Sequence, residues 1–110
     1  MTEDYVSFET AKLLKEKGFD WECKTRKFYP EPEYDVESPN GVYAPTLQMA
    51  MKWLREVHDA IVNVFYDKDE EKWCAEHYRM LIGDYTLIGY YRTYEEACEA
   101  AIKYCLENLI

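Results

Sequence analysis

The sequence predicts an α+β fold: three helices with a three-stranded antiparallel meander in two layers, ordered α-α-β-β-β-α, with room for an extra short strand after the first helix. Three observations carry this. Two helix-length stretches repeat apolar residues at 3.6-residue spacing in the first half and one in the last sixth. Between them, residues 61 to 91 hold three β-branched and aromatic runs separated by a charged turn and a Gly-Asp turn. The 110 residues suit a single domain over 1 to 110, with a core but no space for a second.

The first helix is expected from Phe8 to Lys17. Ser7 is a good N-cap, Glu9 sits where the helix dipole favours an anion, Lys15 and Lys17 close the last turn, and Gly18 follows. Phe8, Ala11 and Leu14, with Leu13 beside them, make its apolar stripe. Aromatics among charges from Phe19 to Tyr29 leave room for the extra strand. Residues 30 to 45 hold all four prolines, Asn40-Gly41 and the acids Glu31, Glu33, Asp35 and Glu37, and read as a Pro-rich acidic loop. A loop of that length is either functional or a surface insertion. The second helix runs from Thr46 or Leu47 to Val57 on Leu47, Ala50, Met51 and Leu54, with Met49 and Trp53 on its flank.

Ile61 to Tyr66, Lys72 to Leu81 and Tyr85 to Tyr91 are the expected strands, turning at Asp67 to Glu71 and at Gly83-Asp84. Alternation along the middle strand puts Cys74, Glu76, Tyr78 and Met80 on one face, expected to be buried, and Trp73, Ala75, His77 and Arg79 on the other. The last helix, Thr93 to Leu109, opens with the capping box Thr93-Tyr94-Glu95-Glu96. Tyr94, Ala97, Cys98, Ala101, Ile102, Cys105 and Leu109 form its stripe, in which small residues let the helix lie close to the sheet.

Three blocks of the chain, YVSFETAKLLKEKGF at 5 to 19, YAPTLQMAMKWLREVH at 43 to 58 and TYEEACEAAIKYCLENLI at 93 to 110, resemble a family of small uncharacterised proteins encoded by phages and mobile elements of gut Bacteroidales. The likeness covers about half the chain. It implies a genomic setting and no catalytic residue.

Composition narrows the function classes. An acidic start without an apolar run and the absence of a membrane-length apolar segment point to the cytoplasm, where Cys23, Cys74, Cys98 and Cys105 act as small hydrophobes. The net charge of −9 disfavours nucleic acid. Only residues 12 to 27, with Lys12, Lys15, Lys17, Lys24, Arg26 and Lys27 against Glu16, Asp20 and Glu22, offer a weak basic patch. Chemistry finds little footing. Cys74 and His77, three apart on a strand, point to opposite faces, so with Cys23 and His58 they make a poor zinc set. Cys98 and Cys105 lie two helical turns apart, roughly 10 Å, too far for a disulfide. His58 beside Asp59 is better read as a cation at a helix C-terminus than as a general base. No cofactor, metal or catalytic group is expected, and the chain reads as non-enzymatic.

The surplus is aromatic. Tyrosines 66, 78, 85, 90 and 91 fall on the expected sheet. A candidate partner surface of Tyr66, Trp73, His77, Arg79, Tyr85 and Tyr91 follows, fit for another protein, with homodimer formation left open. The expected function is a protein-interaction or accessory factor. An acidic DNA mimic using Glu31 to Glu37 and Asp67 to Glu71 is the alternative, followed by weak nucleic-acid binding through residues 12 to 27.

Overall fold

The structure, a computed structural model, describes residues 4–22, 26–29 and 41–110. Its elements run α1 (Phe8–Glu16), β1 (Arg26–Tyr29), β2 (Val42–Pro45), α2 (Leu47–His58), β3 (Ile61–Asp67), β4 (Lys72–Arg79), β5 (Asp84–Tyr91) and α3 (Tyr94–Asn108). The expected α+β fold and meander are both present: β3, β4 and β5 pair antiparallel in chain order. The extra strand after α1 also exists, and its partner corrects the loop expectation. Val42 to Pro45, assigned to the Pro-rich loop, pairs with β1 as a second, two-stranded sheet. Pro45 is tolerated because its carbonyl accepts from the Val6 amide, so its backbone nitrogen also faces away from β1 and a missing N–H costs no bond between the two strands. Residues 30–40 of that loop, with its acidic run, and Cys23 lie outside the described residues.

Local chemistry sets each helix end. The Ser7, Thr46 and Thr93 hydroxyls accept from the amides of Thr10, Met49 and Glu96 at 3.2, 3.2 and 3.0 Å. At Thr93 only this forward half of the capping box forms among the described residues. Gly18, at φ 94°, carries the chain out of α1, and Asp59, at φ 54°, turns it from α2 into β3.

The core lies between the helices and one face of the larger sheet. Ala11 and Leu14 of α1, Leu47, Ala50, Met51, Trp53 and Leu54 of α2, and Cys98, Ile102, Cys105 and Leu106 of α3 are buried together. Trp53, on the flank of its helix, is nearly fully buried and sits edge-on to Phe19 at 5.3 Å. A smaller cluster, Ala75 with Ala97 and Ala101, is where α3 lies down on β4; Val62, Val64, Trp73, Ile88 and Tyr91 ring it. Three methyl-sized side chains at the crossing bring the backbones close, which is why the small-residue stripe of α3 belongs there.

That contact fixes which sheet face α3 covers, and it is not the face expected to be buried, although Cys74 and Glu76 of that face are buried as expected, at 1% and 7% exposed. The helix lies over Trp73, Ala75 and His77, whereas Cys74, Glu76 and Tyr78 face away from it. Met80, expected in the strand and buried, lies in the turn and is 73% exposed. Apolar counting along β4 does not reveal the helix side, because Ala75 contributes little hydrophobicity yet packs directly with Ala97 and Ala101 of α3.

Candidate functional site

The uncovered face of the three-stranded sheet is built from Asn63 and Phe65 of β3, Cys74, Glu76 and Tyr78 of β4, and Tyr85, Leu87 and Tyr90 of β5. Register puts Asn63 beside Glu76 and Phe65 beside Cys74 on one side. On the other, Tyr90 flanks Cys74, Leu87 flanks Glu76 and Tyr85 flanks Tyr78. Leu87 and Tyr90 are three apart and would ordinarily point to opposite faces. They share this one because pairing jumps from Ala75↔Gly89 to Glu76↔Leu87, leaving Ile88 as a bulge whose side chain packs under α3.

At the centre stands Glu76, only 7% exposed. Its Oε1 accepts from Asn63 Nδ2 at 2.8 Å and from the Tyr78 hydroxyl at 2.5 Å, and its Oε2 accepts from the Tyr85 hydroxyl at 2.6 Å. Burial by itself would push the carboxyl's pKa up, but these three hydrogen bonds outweigh it and leave the pKa below the ordinary value. The donors move in the opposite sense. Hydrogen bonding to the carboxylate raises the Tyr78 pKa and takes that of Tyr85 to about 12, so both stay protonated donors. The two rings lie 5.3 Å apart, tilted by 43°.

Around this polar centre the face is apolar and open. Phe65, Tyr85, Leu87 and Tyr90 are all exposed, Tyr85 by 53% and Leu87 by 46%. Beyond Tyr78 and Tyr85 the β4–β5 turn carries Met80, Leu81 and Ile82, with Leu81 87% exposed. The turn is held in place, since Asp59 Oδ2 accepts from the Leu81 amide at 2.8 Å.

The six residues proposed from sequence fall on different sides of the sheet. Tyr85 alone belongs to the open face. Tyr66 is exposed but stacks edge-on against Trp73 at 5.4 Å on the helix side, and Trp73 in turn meets Tyr94 of α3. Tyr91 packs on the alanine cluster, its hydroxyl over Gly89. His77 is fully buried beside Tyr104, ring centroids 5.5 Å apart, so it cannot belong to an open surface. Arg79 reaches under α2, its Nη2 donating to the His58 carbonyl at 3.4 Å. Sequence reasoning missed Phe65, Glu76 and Leu87, and the signal that locates them is the parity set by the Ala75 contact and the Ile88 bulge.

The helix side holds its own polar corner. Among the described residues, the buried side-chain nitrogens without a hydrogen-bond partner are His58 Nε2, His77 Nδ1 and Nε2, and Arg79 Nε. Burial lowers both histidine pKa values, and the Arg79 charge pushes the same way at each, although Asp84 opposes it at His77. His58 therefore favours its neutral form, which corrects its reading as a cation at the helix end. Burial pushes the Cys98 thiol to about 11 and the Cys105 thiol to about 12, as suits core side chains. Among the described residues no group of three His, Cys, Asp or Glu side chains is placed to hold a metal.

The described basic residues of the N-terminal stretch are largely engaged. Lys12 lies over Phe8, Arg26 over Tyr43 and Lys27 over Tyr29, at 4.7, 4.0 and 4.9 Å from the ring centroids, while Lys17 donates to the Ile110 carbonyl. Of the two acidic runs, Asp67 to Glu71 forms the β3–β4 turn, where the Asp67 side chain accepts from the amides of Asp69 and Glu70. No helix of the described residues is long and apolar enough to cross a membrane.

Fold and face together define a class: an α+β domain whose helices cover one side of an antiparallel meander and, among the described residues, leave the aromatic side open. Comparison with protein-family models, with curated proteins and with solved structures gives no match.

Proposed function

We propose that this chain is a non-enzymatic protein-interaction factor that docks its partner on the open face of the β3–β4–β5 sheet. The observation that supports this is the concentration of exposed apolar side chains there: Phe65, Tyr85, Leu87 and Tyr90, continued at the turn by Met80, Leu81 and Ile82. Isolated surface hydrophobics need no explanation, but a patch of this kind on one face, built on a rigid sheet, is the usual mark of a docking surface. The buried, hydrogen-bonded centre at Glu76 orders the tyrosine rings before a partner arrives, which lowers the entropy cost of binding. The resemblance to mobile-element proteins supports a role as an accessory factor acting on a host or phage protein.

The test is capture of partners by the full chain, comparing wild type with Leu87→Asp on the open face and Lys52→Ala on the exposed side of α2. A specific partner held by wild type and Lys52→Ala and released by Leu87→Asp is the expected result. A folded wild-type protein that captures nothing, or a partner indifferent to Leu87→Asp, overturns the reading.

A further inference from the structure

Buried carboxylates are rare in proteins unless a cation accompanies them. Glu76 is such a carboxylate. Its three donors, the Asn63 amide and the Tyr78 and Tyr85 hydroxyls, are all neutral, and among the described residues no Lys, Arg or His helps to hold it ionised. Neutral donors satisfy lone pairs without cancelling charge. The accounting is also uneven between the oxygens: from the described residues Oε1 accepts two hydrogen bonds, whereas Oε2 accepts one. The donor to that oxygen is the hydroxyl of Tyr85, whose ring is half-exposed and has Tyr78 tilted against it.

We propose that Glu76, Tyr78 and Tyr85 form a receptor for a cationic side chain of a basic partner protein, arginine in preference to lysine. A guanidinium is planar, so it can lie over the Tyr85 ring and direct an N–H to the free lone pair of Oε2 in one pose, whereas an ammonium gains the charge but less of the stacking. The surroundings favour such a partner. A net charge of −9 draws basic surfaces to this chain. The exposed Phe65, Leu87 and Tyr90 around the carboxylate exclude water from the pair and strengthen it. This inference rests on the open face being the docking surface and adds the chemistry of what docks there.

The experiment is an NMR titration of the full chain with N-acetyl-arginine methylamide, N-acetyl-lysine methylamide and, as the uncharged isostere of arginine, N-acetyl-citrulline methylamide. Saturable shifts at the Asn63 side-chain amide, Tyr78 and Tyr85 are expected with arginine, weaker ones with lysine and none with citrulline, and Glu76→Gln should weaken arginine binding at least about tenfold. Shifts confined to the acidic turn Asp67 to Glu71, or citrulline binding as well as arginine, overturn the proposal; that comparison is made on wild type and stands even where Glu76→Gln does not fold. If a captured partner is lost with Leu87→Asp and kept with folded Glu76→Gln, the docking surface stands and the cation receptor falls.

Discussion

The Tyr85 hydroxyl lies 2.6 Å from Glu76 Oε2, bridging two adjacent strands on the side of the sheet opposite α3. One short contact thus ties an exposed aromatic ring to a buried charge. Tyr85→Phe removes that donor with little change in shape. The expected outcome is a higher Glu76 pKa, read by carbon-detected NMR titration of the carboxyl, with Tyr78 and Asn63 still holding Oε1.

The same carboxylate gives the fold an acid limit. Its pKa in the folded chain is lowered from 4.5, so the stability it contributes is complete above pH 4.5 and lost as the pH falls through the folded value. Urea midpoints measured from pH 6 down to pH 3 should drop across that window, and Glu76→Gln should flatten the drop.

His77 and His58 act in a higher window. Both folded pKa values are lowered from 6.5, so the neutral rings contribute stability that is present above pH 6.5 and lost as the pH falls from there through the folded values. His77→Leu removes two unpartnered buried nitrogens and replaces them with a similar apolar volume. It should cost less than about 1.5 kcal/mol at pH 7, and stability between pH 5 and 6.5 should become less steep.

Ala97 meets Ala75 and Ala101 where α3 crosses β4. Ala97→Leu forces side-chain volume into that crossing and should destabilise the fold by about 1–3 kcal/mol in chemical denaturation. A neutral result would mean that the helix can ride up off the sheet.

Thr93→Ala deletes the hydroxyl that accepts from the Glu96 amide and should cost about 1 kcal/mol. Thr93→Ser, which keeps the acceptor, should restore most of it in the same thermal melt.

The helices and the meander were legible in the sequence because their determinants are local. Ser7, Thr46 and Thr93 announce helix starts, and apolar spacing marks the buried stripe of α3, to which the structure adds Leu106. The β1–β2 sheet was half legible: periodicity is weak in four-residue strands, and Pro45 together with Asn40-Gly41 suggested turn chemistry throughout. The site was least legible, because it depends on long-range facts. Which side of β4 faces α3 is decided by an alanine contact between residues far apart in the chain, and Glu76 reads as an anomaly until Asn63 and Tyr85 arrive from neighbouring strands.

The bulge at Ile88 has a consequence for how this surface can vary. Because one unpaired residue separates Gly89 from Leu87 in the ladder, the two halves of β5 have opposite parity, and the bare face draws residues from both. Deleting Ile88 would leave Leu87 opposite Glu76 and Gly89 opposite Ala75 in an unbroken ladder, so Tyr85, Leu87 and Tyr90 would keep their side and only the packing of Ile88 under α3 would be lost. Straightening the strand with Ile88 retained would instead turn half of it over, exchanging Tyr90 with Tyr91 or Tyr85 and Leu87 with their neighbours. This surface depends on one extra residue being matched by one bulge.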